Sequence, residues 1–91
     1  MATYNYKHIN GAATTVVSSV PAKLAKITIN TTSGGAITVY DEAAGAVVGS
    51  EIAIFPTSAD VGTYKYDVET KKGIVIVTEG TGDITVSFGR N

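Results

Sequence analysis

The chain has 91 residues, of which 44% are hydrophobic, and its seven basic and eight acidic side chains give a formal net charge of −1. This length supplies apolar side chains for one small core, so we expect a single domain. The near-neutral charge offers no field for a phosphate backbone or an anionic lipid surface, and neither nucleic acid nor a membrane is expected as a partner. The absence of cysteine excludes disulfides and thiolate metal sites.

Valine, isoleucine and threonine dominate the sequence, and Leu24 is its only leucine. Side chains branched at Cβ favour strands over helices, so an all-β chain is expected. The opening residues, MATYNYKHIN, lack the basic end and apolar run of a signal peptide. We therefore expect the chain to be made and folded in a cytoplasm.

Residues 1–23 alternate less clearly than the rest and are predicted to form an N-terminal arm or edge strands, set before a β-sandwich body at residues 24–91. Tyr4 and Tyr6 repeat at the strand period and would show two rings on one sheet face. A tyrosine ring combines apolar area with a polar tip, which suits an interface, although packing within the subunit is an equal alternative. Tyr4, Tyr6 and the nearby His8 are the candidate interface residues.

The next segment alternates well. Ile27 and Ile29 would face inward, and after the turn sequence TSGG at residues 32–35 the inward row resumes at Ile37 and Val39. The two glycines of this turn can adopt a positive φ. The pattern predicts a β-hairpin over residues 24–41.

Residues 46–55 are predicted to be a strand that Pro56 ends, with a β-bulge at Gly49, where the apolar parity shifts. Residues 63–69 alternate cleanly and predict a further strand. Its apolar row consists of Tyr64, Tyr66 and Val68.

Residues 74–88 predict the last hairpin, and residues 74–77 are apolar on both faces, which is typical of a strand covered on both sides. The inward parity of all these segments predicts a core made of Ile27, Ile29, Ile37, Val39, Ile52, Ile54, Ile74, Ile76, Ile84, Val86 and Phe88.

Residues 27–41 and 74–88 resemble each other at an offset of 47 positions, as in Ile27/Ile74 and Ile37/Ile84. Internal duplication explains the similarity, and so does convergence of two segments built from β-branched residues and Thr/Gly turns. Both explanations agree with a small antiparallel β-sandwich or jelly roll of about seven to eight strands.

The sequence predicts no catalytic, cofactor or metal site. A nucleophile needs an adjacent base, and the chain offers the single His8. Calcium takes six to eight oxygens, whereas the turn sequences YDEAAG and EGTGD bring two carboxylates each. The turn carboxylates, among them Asp41, Glu79 and Asp83, are interpreted as solvating groups, so their replacement by amides is expected to leave the fold nearly intact.

The order of segments resembles that of small β-sandwich proteins encoded by tailed bacteriophages. The similarity covers residues 24–89 and is carried by an I-x-I-N strand, a TVYD-like strand, a Y-D-V segment, a glycine-led G-I-x-V strand and a closing ITVSF strand. These positions include Leu24, Ile27, Ile29, Asn30, Val39, Tyr40, Asp41, Tyr66, Asp67, Val68, Gly73, Ile74, Val77, Thr85 and Val86.

The resemblance implies a non-enzymatic structural protein of a phage virion. Such proteins decorate and stabilise the capsid as cement proteins, bind the major capsid protein and form homotrimers. The alternative is a small carbohydrate- or receptor-binding module, or a head or tail accessory protein, of a phage particle. Either role places the chain in the virion after its synthesis in the host cytoplasm.

Overall fold

The computed structural model describes residues 4–32, 34–45 and 49–89. These residues form eight antiparallel strands and no helix, which confirms the predicted all-β class. The strands are β1 (Tyr4–Asn10), β2 (Ala13–Ser18), β3 (Lys23–Thr31), β4 (Ile37–Tyr40), β5 (Glu51–Phe55), β6 (Gly62–Glu69), β7 (Ile74–Thr78) and β8 (Asp83–Gly89).

The strands divide into two four-stranded sheets. Sheet I has the order β1-β8-β3-β6, and sheet II has the order β2-β7-β4-β5. Two facing sheets with these orders form the eight-stranded jelly roll, one of the two architectures that the alternation predicted. Because the chain crosses between the sheets at nearly every connection, contacts come almost entirely from residues far apart in sequence.

The prediction of two hairpins is wrong, because neither pair of strands lies within one sheet. Strands β3 and β4 lie in different sheets, and so do β7 and β8. Alternation identifies the inward row of each strand, but that row faces the interior equally well from either sheet. A connection of a few residues can span the distance of about 10 Å between packed sheets. The connection between β3 and β4, called the first arch, and that between β7 and β8, called the second arch, therefore pass over the core.

The glycines of the first arch do not adopt the positive φ expected of a hairpin turn. Gly35 is instead a point of close approach, where an added Cβ would overlap the carbonyl oxygen of Glu79 in the second arch. A residue without a side chain is therefore required there because two backbones meet.

The core lies between the sheets and follows the predicted parity at most positions. Eight of the predicted residues are at most 1% exposed, and Ile52 and Phe88 pack partly buried against them. Those eight residues are Ile27, Ile29, Ile37, Val39, Ile74, Ile76, Ile84 and Val86.

Ile54 is the error in the predicted core, because its side chain is 65% exposed. Directly opposite residues share a face, and Phe55 lies opposite the buried Ile37. Phe55 therefore points inward, and Ile54 points outward opposite Thr38. This parity arises from a register shift in the β4–β5 pairing, which lies between Ala53, opposite Val39, and Glu51, opposite Tyr40.

The predicted bulge at Gly49 is therefore displaced toward the middle of β5. Gly49 precedes that strand and has φ 103°. The strand ends directly before Pro56, as predicted. Residues 46–48, included in the predicted strand, lie outside the described residues.

The first part of the chain supplies one edge strand to each sheet. Strand β1 pairs with β8 over its whole length, from Tyr4 opposite Gly89 to Asn10 opposite Asp83, and β2 pairs with β7. Ile9 is 4% exposed and belongs to the core. Within the described ranges, no helix is long and apolar enough to cross a membrane.

Candidate interaction surface

The outer face of sheet I carries the three candidate interface residues and is called here the polar face. Two rows of opposed residues cross all four of its strands. One row is Tyr6, Ser87, Lys26 and Lys65, and the other is His8, Thr85, Thr28 and Thr63. Because opposed residues share a face, their side chains form one continuous outer surface.

Tyr4, Tyr6 and His8 lie on the outward side of β1, since the buried Ile9 fixes the opposite parity. Tyr4 is 48% and Tyr6 72% exposed. The structure therefore brings the three predicted residues together along one edge of the polar face. Their rings are available as contact area to a partner.

His8 is tied into a polar cluster at the end of this edge. Its Nε2 lies 2.7 Å from Oδ1 of Asp83 and donates to that carboxylate, and the side-chain amide of Asn30 donates to the same oxygen at 2.9 Å. The Asn30 amide also reaches Oγ1 of Thr85 at 3.1 Å. Asn30 lies at a local register shift between β3 and β8, directly after the pair of Ile29 and Ile84.

This cluster perturbs the Asp83 carboxyl. Hydrogen bonds from Asn30 and His8, together with the attraction of His8, stabilise its ionised form and lower the pKa of Asp83, while desolvation opposes them. Asp83 is thus not the simple solvating group that the sequence suggested. It joins β1, β3 and β8 on the polar face.

A shallow groove of about 370 Å³ lies beside Tyr4 on the same face. Its lining combines an aromatic ring, two cationic side chains, a carboxylate and a hydroxyl. These residues, with one small apolar neighbour, are Tyr4, Lys26, Lys65, Asp67, Ser87 and Ala25. Groups of this kind hydrogen-bond to polar ligands and to exposed protein side chains.

Asp41 has a structural role that the sequence did not reveal. Its carboxylate accepts hydrogen bonds from the backbone N–H groups of Lys71, Lys72 and Gly73, at 2.9 to 3.3 Å. Desolvation raises the pKa of Asp41, but these donations and the attraction of Lys72 outweigh it and leave the pKa below its ordinary value. The expectation that Asp41 merely solvates a loop is wrong, because it fastens the β6–β7 connection.

Tyr64 and Tyr66 pack within the subunit. Both rings meet Phe55 edge to face, with centroid distances of 5.0 and 6.2 Å, and so close the sandwich between β5 and β6. Burial raises the pKa of Tyr66, and the neighbouring Tyr64 adds to the effect. These two tyrosines are therefore part of the packing and not of the outer surface.

Lys26, Asn30 and Lys65 alternate with the inward residues of β3 and β6, so parity alone places them on the outward sides of these strands. It carried no information on which strands are neighbours, so the groove and the Asn30–Asp83 contact could not be found from it. Across the described ranges, no group of three His, Asp or Glu side chains is arranged to hold a metal ion.

No protein-family model matches this chain, and no curated protein matches it closely enough to serve as a relative.

Proposed function

We propose that this chain is a non-enzymatic structural protein of a tailed-phage virion that decorates and stabilises the capsid. The major capsid protein is the proposed partner, and the polar face is the proposed attachment surface. The observation that carries the proposal is the row of exposed side chains on β1, where Tyr4, Tyr6 and His8 stand on a strand held in place over its full length.

A fixed strand suits this role because little ordering is left to occur on binding. Tyrosine adds large contact area with few rotatable bonds, and aromatic residues are frequent among the groups that dominate binding energy. Attachment of many copies then sums modest contacts into a durable coat.

The resemblance of residues 24–89 to phage β-sandwich proteins supports the setting, and so does the jelly-roll topology, which recurs in viral capsid domains. Topology supports a function only by analogy, since jelly rolls also occur in lectins. The same resemblance supports a homotrimer as the assembly on the shell.

The test is to mix the purified protein with empty heads of the phage that encodes it and to image them by negative-stain microscopy. A uniform coat is expected. The Tyr6→Ser variant should bind at least about tenfold more weakly in a co-sedimentation titration, since 1.4 kcal/mol corresponds to tenfold. Val61→Ser is the matched control, because Val61 is 59% exposed in the β5–β6 connection. Bare heads, or an equal loss of binding affinity in Tyr6→Ser and Val61→Ser, would contradict the proposal.

The groove favours the second candidate, a carbohydrate- or receptor-binding module of the particle. Tyr4 offers a ring on which a sugar can pack, and the surrounding Lys26, Asp67 and Ser87 can bond to hydroxyl groups. Bare heads combined with binding to host-envelope glycans, lost in Tyr4→Ala, would support this candidate instead.

A further inference from the structure

The four edge strands of the sandwich differ in how well they are protected. An edge strand presents a row of backbone N–H and C=O groups that can pair with another chain, and charged side chains, prolines and bulges block such pairing. Each sheet has two edges, β1 and β6 in sheet I and β2 and β5 in sheet II. All four edge strands lie inside the described ranges.

Three of these edges carry protection. In β1, Lys7 lies opposite the buried Val86 and so sits on the inward-facing side of the strand. In β5, Glu51 lies at one end and Pro56 follows the other. Strand β6 has three charged residues, Lys65, Asp67 and Glu69, and an irregular register against β3.

Strand β2 carries only one feature of this kind, a register shift after Val16. Its sequence, ATTVVS, contains no charged residue and no proline, and residues 11–19 around it are also uncharged. Ala13 and Thr14 are exposed, and Val16 is 44% exposed. From Ala13 to Val16 the strand pairs regularly with β7, and its register shifts only after Val16. The regular part, from Ala13 to Val16, therefore offers an open edge.

The outer face of sheet II continues this uncharged character. Two rows of opposed residues cross its four strands, and they contain a single charged side chain, that of Glu51 at the far edge. The rows are Thr14, Val77, Thr38 and Ile54, and Val16, Val75, Tyr40 and Glu51. A neighbour approaching along β2 would meet no charge from this face.

We propose that β2 is a strand-addition site for β2 of a second copy of this chain. The two strands run antiparallel about a two-fold axis and join two four-stranded sheets II into one sheet of eight. A charged foreign strand would find no opposite charge here, whereas β2 matches itself, as a two-fold contact requires. With Thr15 opposite its own counterpart, Val16 meets the counterpart of Thr14, and such β-branched pairs stabilise sheets.

The contact does not depend on the proposed virion role. It uses a different surface from the polar face and is compatible with a trimer, since two-fold contacts would then link neighbouring trimers. In either case the mass of the assembly in solution is an even multiple of the chain mass of 9.4 kDa.

The first test measures that mass by sedimentation equilibrium for the wild type and for Val16→Lys. A lysine at this exposed position protects the edge without disturbing the core, so the mass is expected to fall by half. Thr14→Lys serves as a second variant. Val61→Lys is the matched control with unchanged mass, because Val61 is 59% exposed in the β5–β6 connection, away from β2 and from the polar face. A monomeric wild type, or equal masses in the wild type and both β2 variants, would overturn the proposal.

The second test uses the absence of cysteine. Opposed residues in an antiparallel pair have Cα atoms about 4.5–5.5 Å apart, within the range of a disulfide. Under mild oxidation, Thr15→Cys should therefore give a covalent dimer on a non-reducing gel, while Thr63→Cys should migrate as a monomer. Equal and low cross-linking in the two variants would count against β2 pairing.

Discussion

Gly34 and Thr81 occupy equivalent positions in the two similar segments of the chain, 47 residues apart, and they contact each other. The amide nitrogen of Gly34 donates to the carbonyl oxygen of Thr81 at 2.6 Å. A second bond, from the amide of Glu79 to the carbonyl of Ala36 at 3.0 Å, joins the same two arches. The repeated unit therefore meets its own copy where both arches cross the core.

The topology explains why one unit serves twice. Exchanging the two sheets places β3 on β7 and β4 on β8, and the order β1-β8-β3-β6 becomes β5-β4-β7-β2, which is sheet II read from its other edge. The two segments thus occupy equivalent environments in the jelly roll. Their shared isoleucines, such as Ile27 and Ile74, are both fully buried for that reason.

Gly35→Ala should destabilise the fold strongly, because the new Cβ would overlap the Glu79 carbonyl at the crossing of the arches. Overpacking of this kind costs about 1–3 kcal/mol, and more where backbone must move. Gly34→Ala is the control, since its Cβ would come no closer than 3.2 Å, to the Thr81 hydroxyl. Urea denaturation of both variants gives the comparison, and equal midpoints would contradict the crossing described here.

Ile76→Ala should cost about 2–5 kcal/mol of unfolding free energy, as for other large aliphatic residues in closed cores. Ile76 is fully buried opposite Val39. Ile54→Ala makes the same chemical change at a side chain that is 65% exposed, so it should alter stability by less than about 0.5 kcal/mol. Similar losses in the two variants, measured by thermal and urea unfolding, would refute the assigned parity of β5.

These residues show how far the sequence alone determines the structure. Alternation identifies the inward side of a regular strand, and Ile27, Ile37 and Ile84 follow it. It fails at Ile54, where an irregularity inside the strand reverses the parity without a glycine to mark it. Pairing between distant strands leaves no local signal, so alternation does not distinguish an arch between two sheets from a hairpin within one sheet.

The same limit applies to the candidate surface. Tyr4 and Tyr6 could be placed on one face from their spacing, because that relation lies within a single strand. The contact of Asn30 with Asp83 depends on the β3–β8 pairing, which joins strands far apart in sequence. Asp41 likewise meets residues 71–73 only because β4 and β7 are neighbours.

Asp41→Asn should reduce stability by about 1.5–2 kcal/mol, the lower part of the range for hydrogen bonds to a charged group, because the carboxylate is partly exposed. An amide has one acceptor oxygen, and its NH2 group would face backbone N–H donors. Asp60→Asn removes the same charge from an exposed loop position and should be nearly neutral. Equal urea midpoints for the two variants would show that Asp41 does not fasten the β6–β7 connection.

The polar cluster of His8, Asp83 and Asn30 predicts how the stability of the fold depends on pH. The pKa of Asp83 is lower in the folded chain than its ordinary value of about 3.9, so the unfolded chain binds the proton more readily. The stabilisation is therefore fully present above the unfolded pKa and is lost as the pH falls through the folded pKa. In Asp83→Asn this contribution is absent at every pH, because no carboxylate forms there.

The melting temperatures of the wild type and Asp83→Asn should therefore differ most at about pH 6 and converge as the pH approaches about 2. Asp60→Asn provides the control for the change in net charge, and its difference from the wild type should be smaller at pH 6. Asn30→Ala removes the leading donor to Asp83 and leaves the carboxylate in place. At about pH 6 its melting temperature should therefore lie closer to that of Asp83→Asn than the wild-type melting temperature does. A constant difference between the wild type and Asp83→Asn from pH 6 to pH 2 would contradict this origin, because a purely steric effect of the amide would not titrate.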